Sequence, residues 1–140
     1  MWKKSYTKTF KNIDKESIWN LWTDINNWPS WNPGIESCTL DGAFKEGGTF
    51  TLKAQKGPAV KITLIRVEQL QRFTDCTNFL GAKMYGDHIV EDTPDGLKLT
   101  TTVSISGPLS FIWRKLVAED VVAKLPQQTD ALVTLARKNV

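Results

Sequence analysis

Two side chains in this sequence could move protons, His88 and Asp75. His88 is the only histidine, so neither a Ser-His-Asp triad with a choice of bases nor a histidine-based metal site is expected. On a strand, His88 would share a face with Met84, Gly86 and Val90. If that face lines a cavity, His88 could orient a ligand or move a proton. The alternative is a structural histidine bonded to a neighbouring strand.

Asp75 lies between Phe73 and Thr77, on the apolar face of its predicted strand. A carboxylate directed into a cavity would be a candidate general base. If the alternation of inward and outward side chains shifts by one residue near Gln69–Phe73, the Asp75 side chain would instead point into water. The sequence alone leaves both interpretations open.

The remaining reactive or polar residues form no pattern typical of a catalytic site. Cys38 and Cys76 belong to no Cys-x-x-Cys pair and have no basic neighbour, so reduced thiols are expected, although a disulfide between strands stays open. Tyr85 and Arg114 are further polar candidates. No phosphate-binding loop, dinucleotide fingerprint, EF-hand or zinc spacing occurs, so we expect no cofactor and no metal.

Composition and charge limit the class of protein. A length of 140 residues, with 41% hydrophobic and 24% charged residues, predicts a single domain over residues 1–140. The net charge of +3 comes from scattered lysines, which argues against nucleic-acid binding. No apolar run suits a signal peptide or the ~20 residues of a membrane span, so a cytoplasmic protein without integral membrane association is expected. The oligomeric state is not predictable.

The elements that must position these residues begin with a strand over Trp2–Phe10, which alternates bulky and polar side chains. A helix follows, because Asp14 can cap its first N–H groups while Ile13 and Ile18 are spaced as a hydrophobic staple. Its apolar face comprises Ile18, Leu21, Trp22 and Ile25.

The next segment, Asp24–Gly34, reads DINNWPSWNPG and concentrates aromatic side chains where no regular element can run. Pro29 and Pro33 exclude a continuous helix, although one short turn around Asn26–Trp31 is possible. The two tryptophans, Trp28 and Trp31, would plug the core, contact a ligand or bind a partner.

Six further strands are predicted between turn signals, and their short connections favour an antiparallel meander. Adjacent Leu64 and Ile65 shift the alternation within one of them, which indicates a β-bulge. The predicted strands are Ile35–Leu40, Gly48–Gln55, Val60–Glu68, Arg72–Leu80, Ala82–Glu91 and Leu97–Ser106.

Gly107-Pro108 ends the sheet, and helical periodicity then runs from Leu109 to Asn139. Pro126 should kink or divide this helix near Leu125. The order predicts an α+β fold with a curved six- to seven-stranded antiparallel sheet wrapped around a long C-terminal helix, and one or two short helices between the first and second strands. Because a curved sheet and a straight helix do not fit flush, a cavity is expected between them.

Several short stretches, spread over nearly the whole chain, carry a resemblance to a known family. They are Ile13-Asp14, Ile18-Trp19, Trp22-Thr23-Asp24, Trp28, Trp31-Asn32-Pro33-Gly34-Ile35, Gly47-Gly48-Thr49-Phe50, Gly86–Glu91, Gly96–Thr100, Ser106–Leu109 and Leu125-Pro126. With these stretches the chain resembles the helix-grip (SRPBCC) superfamily, which includes START domains and the major birch-pollen allergen, and most closely its polyketide cyclase/dehydrase-like branch. The resemblance implies the helix-grip fold, but a fold does not specify an activity.

Three functions are compatible with these observations, and the first is favoured because no catalytic set is evident. It is the binding of a small hydrophobic molecule, such as a lipid, isoprenoid, steroid or polyketide-like compound. The second is a cyclase/dehydratase-like enzyme in which His88 and Asp75 transfer protons. The third is a protein-interaction module with an exposed Trp28/Trp31 surface. The predicted ligand-binding residues are Trp28, Trp31, Phe50, Leu52, Ile62, Phe73, Asp75, Met84, His88, Leu99, Thr101, Trp113 and Val117.

Overall fold

A computed structural model describes residues 1–138 and contains one antiparallel seven-stranded sheet. The strands lie in the order β1-β7-β6-β5-β4-β3-β2, so a meander of six strands is completed by β1 at the edge beside β7. This architecture confirms the predicted α+β helix-grip fold. The strands are β1 (Trp2–Phe10), β2 (Ile35–Asp41), β3 (Thr49–Ala54), β4 (Ala59–Glu68), β5 (Arg72–Phe79), β6 (Ala82–Thr93) and β7 (Gly96–Ser106).

The first helix, α1 (Lys15–Thr23), begins as its sequence predicts. The Asp14 carboxylate accepts a hydrogen bond from the backbone N–H of Ser17 at 2.8 Å, which satisfies one of the free donors of the first turn. A 3₁₀-helix over Ile25–Ser30 follows directly, at the place where a short turn was predicted.

The C-terminal helix begins as α2 (Ser110–Trp113), passes through a π-helical turn over Arg114–Ala118 and continues as α3 (Glu119–Lys138). The predicted end at Asn139 lies outside the described residues. Pro126 does not divide the helix, because α3 runs through it. This proline is exposed, so water can hydrate the carbonyl that loses its helical partner. The helical region also contains the π-helical turn, which hydrophobic periodicity does not predict.

The predicted bulge in β4 is present. Pairing between β4 and β5 shifts between Leu64 and Arg66, so Ile65 is the extra residue. Leu64 remains fully buried while Ile65 is exposed, as expected when a bulge resets the alternation.

The concave face of the sheet and the helices enclose two clusters of buried apolar residues. The larger cluster joins α1, the 3₁₀-helix and the end of α3 to the sheet, and includes Trp19, Trp22, Phe50, Phe73 and Leu132. The smaller cluster joins the start of the C-terminal helical region to β6 and β7, and includes Ala82, Val103, Ile105, Ala118 and Leu125. The core is therefore not one continuous packed mass.

Both cysteines are buried free thiols, as expected from their sequence surroundings. Cys38 lies on β2 and Cys76 on β5, three strand positions apart in the sheet. With about 4.8 Å between neighbouring strands, the two are too far apart for a disulfide.

Burial predicts that Cys38 reacts slowly. Burial raises the pKa of its thiol from an ordinary 9.0 to about 11. We therefore expect little labelling of Cys38 by a thiol-reactive disulfide reagent in the native protein at pH 8, and rapid labelling after denaturation. The raised pKa also means that the free energy of unfolding falls as the pH rises from about 9 towards 11. A Cys38→Ser variant identifies the signal of Cys38, and fast labelling of that thiol in the native protein would contradict the prediction.

Candidate functional site

A cavity of about 360 Å³ lies between the two apolar clusters, under the C-terminal helix. Its wall comes from the concave face of β3 to β7, from the segment after α1 and from one face of the helix. It includes these predicted ligand-binding residues: Trp28, Trp31, Phe50, Leu52, Ile62, Phe73, Asp75, Met84, His88, Thr101, Trp113 and Val117.

Leu99, also predicted, does not line the cavity. It is 3% exposed and belongs to the larger apolar cluster. It lies opposite Lys8 on β1, whose amino group forms an ion pair with Asp130 of α3 at 2.8 Å. The helix therefore covers the sheet at this level and leaves no space there.

The sequence does not single out several further residues of the wall. Val121, Leu125 and Gln128 continue the stripe of Trp113 and Val117 along the helix, so extending the helical period would have found them. Asn32 and Lys124 carry no such signal, because tertiary packing alone brings them to the cavity.

Asp75 and His88 meet inside the cavity. The carboxylate Oδ2 of Asp75 lies 3.1 Å from Nε2 of His88, and the two side chains are only 17% and 21% exposed. His88 is thus both bonded to a neighbouring strand and a cavity residue, so its two alternative interpretations hold together. For Asp75 the water-exposed interpretation is wrong. The alternation of side chains is interrupted at Ile65 in β4, whereas β5, which carries Asp75, pairs with β6 without interruption.

Aromatic rings hold the His88 imidazole in place. The ring of Phe73 stacks on it with centroids 4.3 Å apart and planes 15° apart. The indole of Trp22 approaches its edge with a centroid distance of 5.9 Å. With Asp75 as acceptor at Nε2, the imidazole is fixed in orientation by one hydrogen bond and two rings.

Gly86 creates the space for this pair. It lies directly opposite Asp75 on the neighbouring strand, so the carboxylate and His88 form a diagonal pair across it. A Cβ atom at Gly86 would lie 2.9 Å from Oδ1 of Asp75 and 3.2 Å from Nε2 of His88. Any side chain at this position would therefore displace one or both members of the pair.

We expect Gly86→Ala to separate Asp75 from His88 while the fold is retained. The atoms it displaces belong to side chains rather than backbone, which keeps the structural cost low. As His88 is the only histidine, its ring signals are unambiguous by NMR. They should move in Gly86→Ala much as they do in Asp75→Asn, whereas Gly57→Ala, at the β3–β4 turn, should leave them in place. Unchanged ring signals in Gly86→Ala would contradict this role.

The tryptophans of the segment after α1 face inwards. Trp28 is 6% exposed, and its indole N–H donates to the backbone oxygen of Trp22 at 3.1 Å. Asn26 fixes the segment to β2, since its side-chain oxygen accepts from the backbone N–H of Leu40 at 2.7 Å. Trp31 is half-buried beside Trp28, with ring centroids 5.8 Å apart. The two rings thus form no exposed pair of the kind a protein-interaction surface would need.

Trp31 also carries an unsatisfied donor, although its ring lines the cavity. Its indole nitrogen Nε1 is buried, and no acceptor lies within hydrogen-bond distance among residues 1–138. A buried donor without a partner is unfavourable. Because Nε1 is shielded even from a water-sized molecule, a ligand in the cavity does not reach it in this conformation.

The cavity opens towards one end of the sheet. A depression of about 770 Å³ lies between the segment 32–34, the β3–β4 turn and the helix, and shares part of its wall with the cavity. We call this depression the mouth. Val117 lines both spaces, and the ion pair of Lys124 with Asp120, 2.9 Å apart, lies at the same level.

The other polar candidates take no central position. Tyr85 forms part of the cavity wall. Arg114 lies away from the cavity, where its guanidinium group stacks over the ring of Trp2 and pairs with Glu119 at 2.8 Å. The described part of the chain, residues 1–138, contains no group of three His, Cys, Asp or Glu side chains that could hold a metal ion. None of its helices combines the length and apolar character that a membrane span requires.

Comparison with known proteins places this geometry in a family. Residues 1–138 match the sequence model of the family described as polyketide cyclase / dehydrase and lipid transport. The chain belongs to this family. The match spans every described element, so the Asp75–His88 pair and its cavity lie within the family's domain. No curated protein matches the sequence.

Solved structures with the same fold share little sequence with this member of the family. A hypothetical protein of Helicobacter pylori superposes with a TM-score of 0.79 at 16% identity, over 97% of this chain and 88% of that one. A START superfamily protein of Mycobacterium smegmatis gives 0.72 at 16% identity, over 99% of both chains. The di-domain ARO/CYC StfQ from the steffimycin biosynthetic pathway gives 0.77 at 10% identity, over 98% of this chain and 51% of that one. At such identities the likeness shows the fold alone.

Proposed function

We propose that this protein binds a small hydrophobic molecule in the cavity beneath its C-terminal helix. The observation that carries the proposal is the cavity itself, about 360 Å³ of space between two packed apolar clusters. This volume falls at the small end of the range of ligand pockets, roughly 300–1,000 Å³. Family membership supports an apolar ligand, since the family is described by polyketide cyclases, dehydrases and lipid transport. The proposed ligand is a lipid, isoprenoid, steroid or polyketide-like compound.

The wall also indicates what the ligand must carry. Most of it is aliphatic or aromatic, so the body of the ligand should be apolar. The Asp75–His88 pair favours a ligand that also carries a polar group. A pure hydrocarbon would shield this pair from water without offering it a hydrogen bond, at a cost in affinity.

Native mass spectrometry after incubation with a lipid extract tests the proposal. We expect one bound molecule per chain, released on denaturation and identified by its mass. A matched sample of Trp31→Phe should bind the ligand more weakly, because the smaller ring removes part of the apolar wall of the cavity. Absence of any retained molecule, in the extract and in a panel of defined lipids, would overturn the proposal.

A second candidate function, cyclase/dehydratase-like catalysis, is favoured by one specific observation, the oriented Asp75–His88 pair inside the cavity. In such a reaction the imidazole accepts a proton from a methylene group between two carbonyls of a folded poly-β-ketone. The enolate carbon forms a bond with another carbonyl of the same chain, and the imidazolium returns the proton to the resulting alkoxide. Asp75 keeps the ring oriented and stabilises its charge.

Paired variants separate binding from catalysis. His88→Gln and Asp75→Asn should still bind an apolar ligand within a few-fold of the unmodified protein, yet lose cyclisation of a poly-β-ketone probe by a factor of about 10² or more. Turnover that is absent in the unmodified protein, or that both variants retain at its level, would rule out this second function and leave the binding proposal intact.

A further inference from the structure

Large apolar side chains are exposed where the β5–β6 turn meets the start of the C-terminal helical region, at the end of the sheet where the cavity opens, and three of them are more than half exposed. Leu80 is 80% exposed, Phe111 62% and Leu116 66%. Leu80 belongs to the β5–β6 turn, whereas the other two lie at the start of the C-terminal helical region. We call these three residues the apolar end patch.

Two hydrogen bonds hold the parts of this patch together. The indole N–H of Trp113 donates to the backbone oxygen of Leu80 at 2.7 Å. The backbone N–H of Leu109 donates to the oxygen of Gly81 at 2.9 Å. The ring of Trp113 also stacks on Phe79, with centroids 4.4 Å apart. The turn and the helix start therefore form one fixed surface.

The patch is continuous with the mouth of the cavity. Leu116 lines the mouth, and its neighbour Val117 lines both the mouth and the cavity. Lys56, in the β3–β4 turn, lies on the opposite side of the same opening. A surface that covered the patch would thus also face the opening of the cavity.

The charge around the patch is positive. Lys56, Lys83 and Lys115 have no carboxylate within salt-bridge distance in the part of the chain that the structure describes. The two acids nearest in sequence, Glu119 and Asp120, are each paired with a basic side chain. Exposed apolar side chains among unpaired lysines are the combination that binds an anionic membrane surface, where rings and alkyl chains enter the headgroup boundary and ammonium groups meet phosphates.

We propose that the apolar end patch docks this protein on an anionic lipid bilayer, with the mouth of the cavity facing the membrane. The proposal rests on the proposed function, because an apolar ligand could then pass between bilayer and cavity without crossing water. Leu80, Phe111 and Leu116 enter the headgroup region, while Lys56, Lys83 and Lys115 contact lipid phosphates. A bilayer fits the patch better than a second copy of the chain, since the unpaired lysines would repel each other across a symmetric contact.

Vesicle flotation tests the docking. The unmodified protein should float with phosphatidylcholine vesicles that contain phosphatidylglycerol, bind pure phosphatidylcholine vesicles weakly, and lose binding at high salt. Phe111→Ser combined with Leu116→Ser should lower the bound fraction at least tenfold, and Lys83→Glu combined with Lys115→Glu should act in the same direction. Ile65→Ser and Lys45→Glu are matched controls, because both residues are exposed but lie towards the opposite end of the sheet.

Two results would overturn the proposal. One is flotation that is absent, or equal in the patch variants and the controls. The other is a dimer, seen by sedimentation, that the patch variants dissociate, since a second copy would then cover the patch. Ligand binding in vesicle-free solution is measured in parallel on Phe111→Ser and on Lys83→Glu combined with Lys115→Glu. It should not change in them, because these residues line neither the cavity nor its mouth. Flotation without any ligand binding would refute the proposed function and leave the docking surface, whereas the reverse result would refute the docking alone.

Discussion

A Val117→Trp variant should lose affinity for its apolar ligand by a factor of about 100 or more, because loss of most apolar contacts in a pocket removes several kcal/mol. Val117 lies on the face of the π-helical turn that lines both the cavity and its mouth. An indole at this position would occupy the opening and part of the 360 Å³ behind it. Since it fills empty space rather than displacing packed atoms, the melting temperature should not fall.

Lys115→Trp is the matched control for this experiment. The same side chain is added two residues earlier in the π-helical turn, at an exposed position that lines neither the cavity nor its mouth. It should leave ligand affinity within a few-fold of the unmodified protein, measured by isothermal titration or by quenching of intrinsic tryptophan fluorescence. Full affinity in Val117→Trp would show that the ligand binds elsewhere and would refute the proposed cavity site.

The second large effect is on stability. Phe73→Ala should lower the free energy of unfolding by about 3–5 kcal/mol, the usual cost of removing a large buried aromatic ring. Phe73 is fully buried, and its ring packs against Trp22 and Phe44 at centroid distances of 5.4 and 5.3 Å as well as on His88. On the side where the Phe73 ring borders the cavity, there are no packed side chains that could move in and fill the space left by its removal.

Phe111→Ala is the control for the truncation, since this ring is 62% exposed. It should change the free energy of unfolding by less than about 0.5 kcal/mol in urea titrations. A cost below about 2 kcal/mol for Phe73→Ala would indicate that the larger apolar cluster rearranges freely, contrary to the packing described. The His88 ring signals, which lose their stacking partner, should also move.

Much of the fold could be predicted because local patterns agree with it. The period-two alternation in β7, the cap at Asp14 and the adjacent Leu64 and Ile65 each report a local feature, and the structure contains all three. The π-helical turn at Arg114–Ala118 could not be found in this way, because one extra residue in a helical turn leaves no mark in composition.

The candidate site is only partly accessible to such reasoning. Which residues face the concave side follows from strand alternation, and most of the predicted wall lies there. The meeting of Asp75 with His88 depends on the register between β5 and β6, which sequence patterns do not specify. Leu99 illustrates a second limit. Strand alternation correctly predicts that its side chain lies on the concave face of the sheet, but α3 packs against the sheet there, so Leu99 belongs to the core and not to the cavity wall.

The π-helical turn also sets the rotation between the two parts of the C-terminal helical region that precede and follow it. An α-helix turns by about 100° per residue, so one additional residue within a turn rotates everything before it relative to everything after it. In this chain the preceding part carries Phe111 and Trp113, and the following part carries Leu125 and Leu132 on the core side. Deleting one residue from Arg114–Ala118 would shorten the helix by only about 1.5 Å, yet would swing the exposed ring and the cavity wall out of alignment. The angle between the cavity wall and the exposed surface of the helix thus depends on whether one residue is present, and not on which side chain that residue carries.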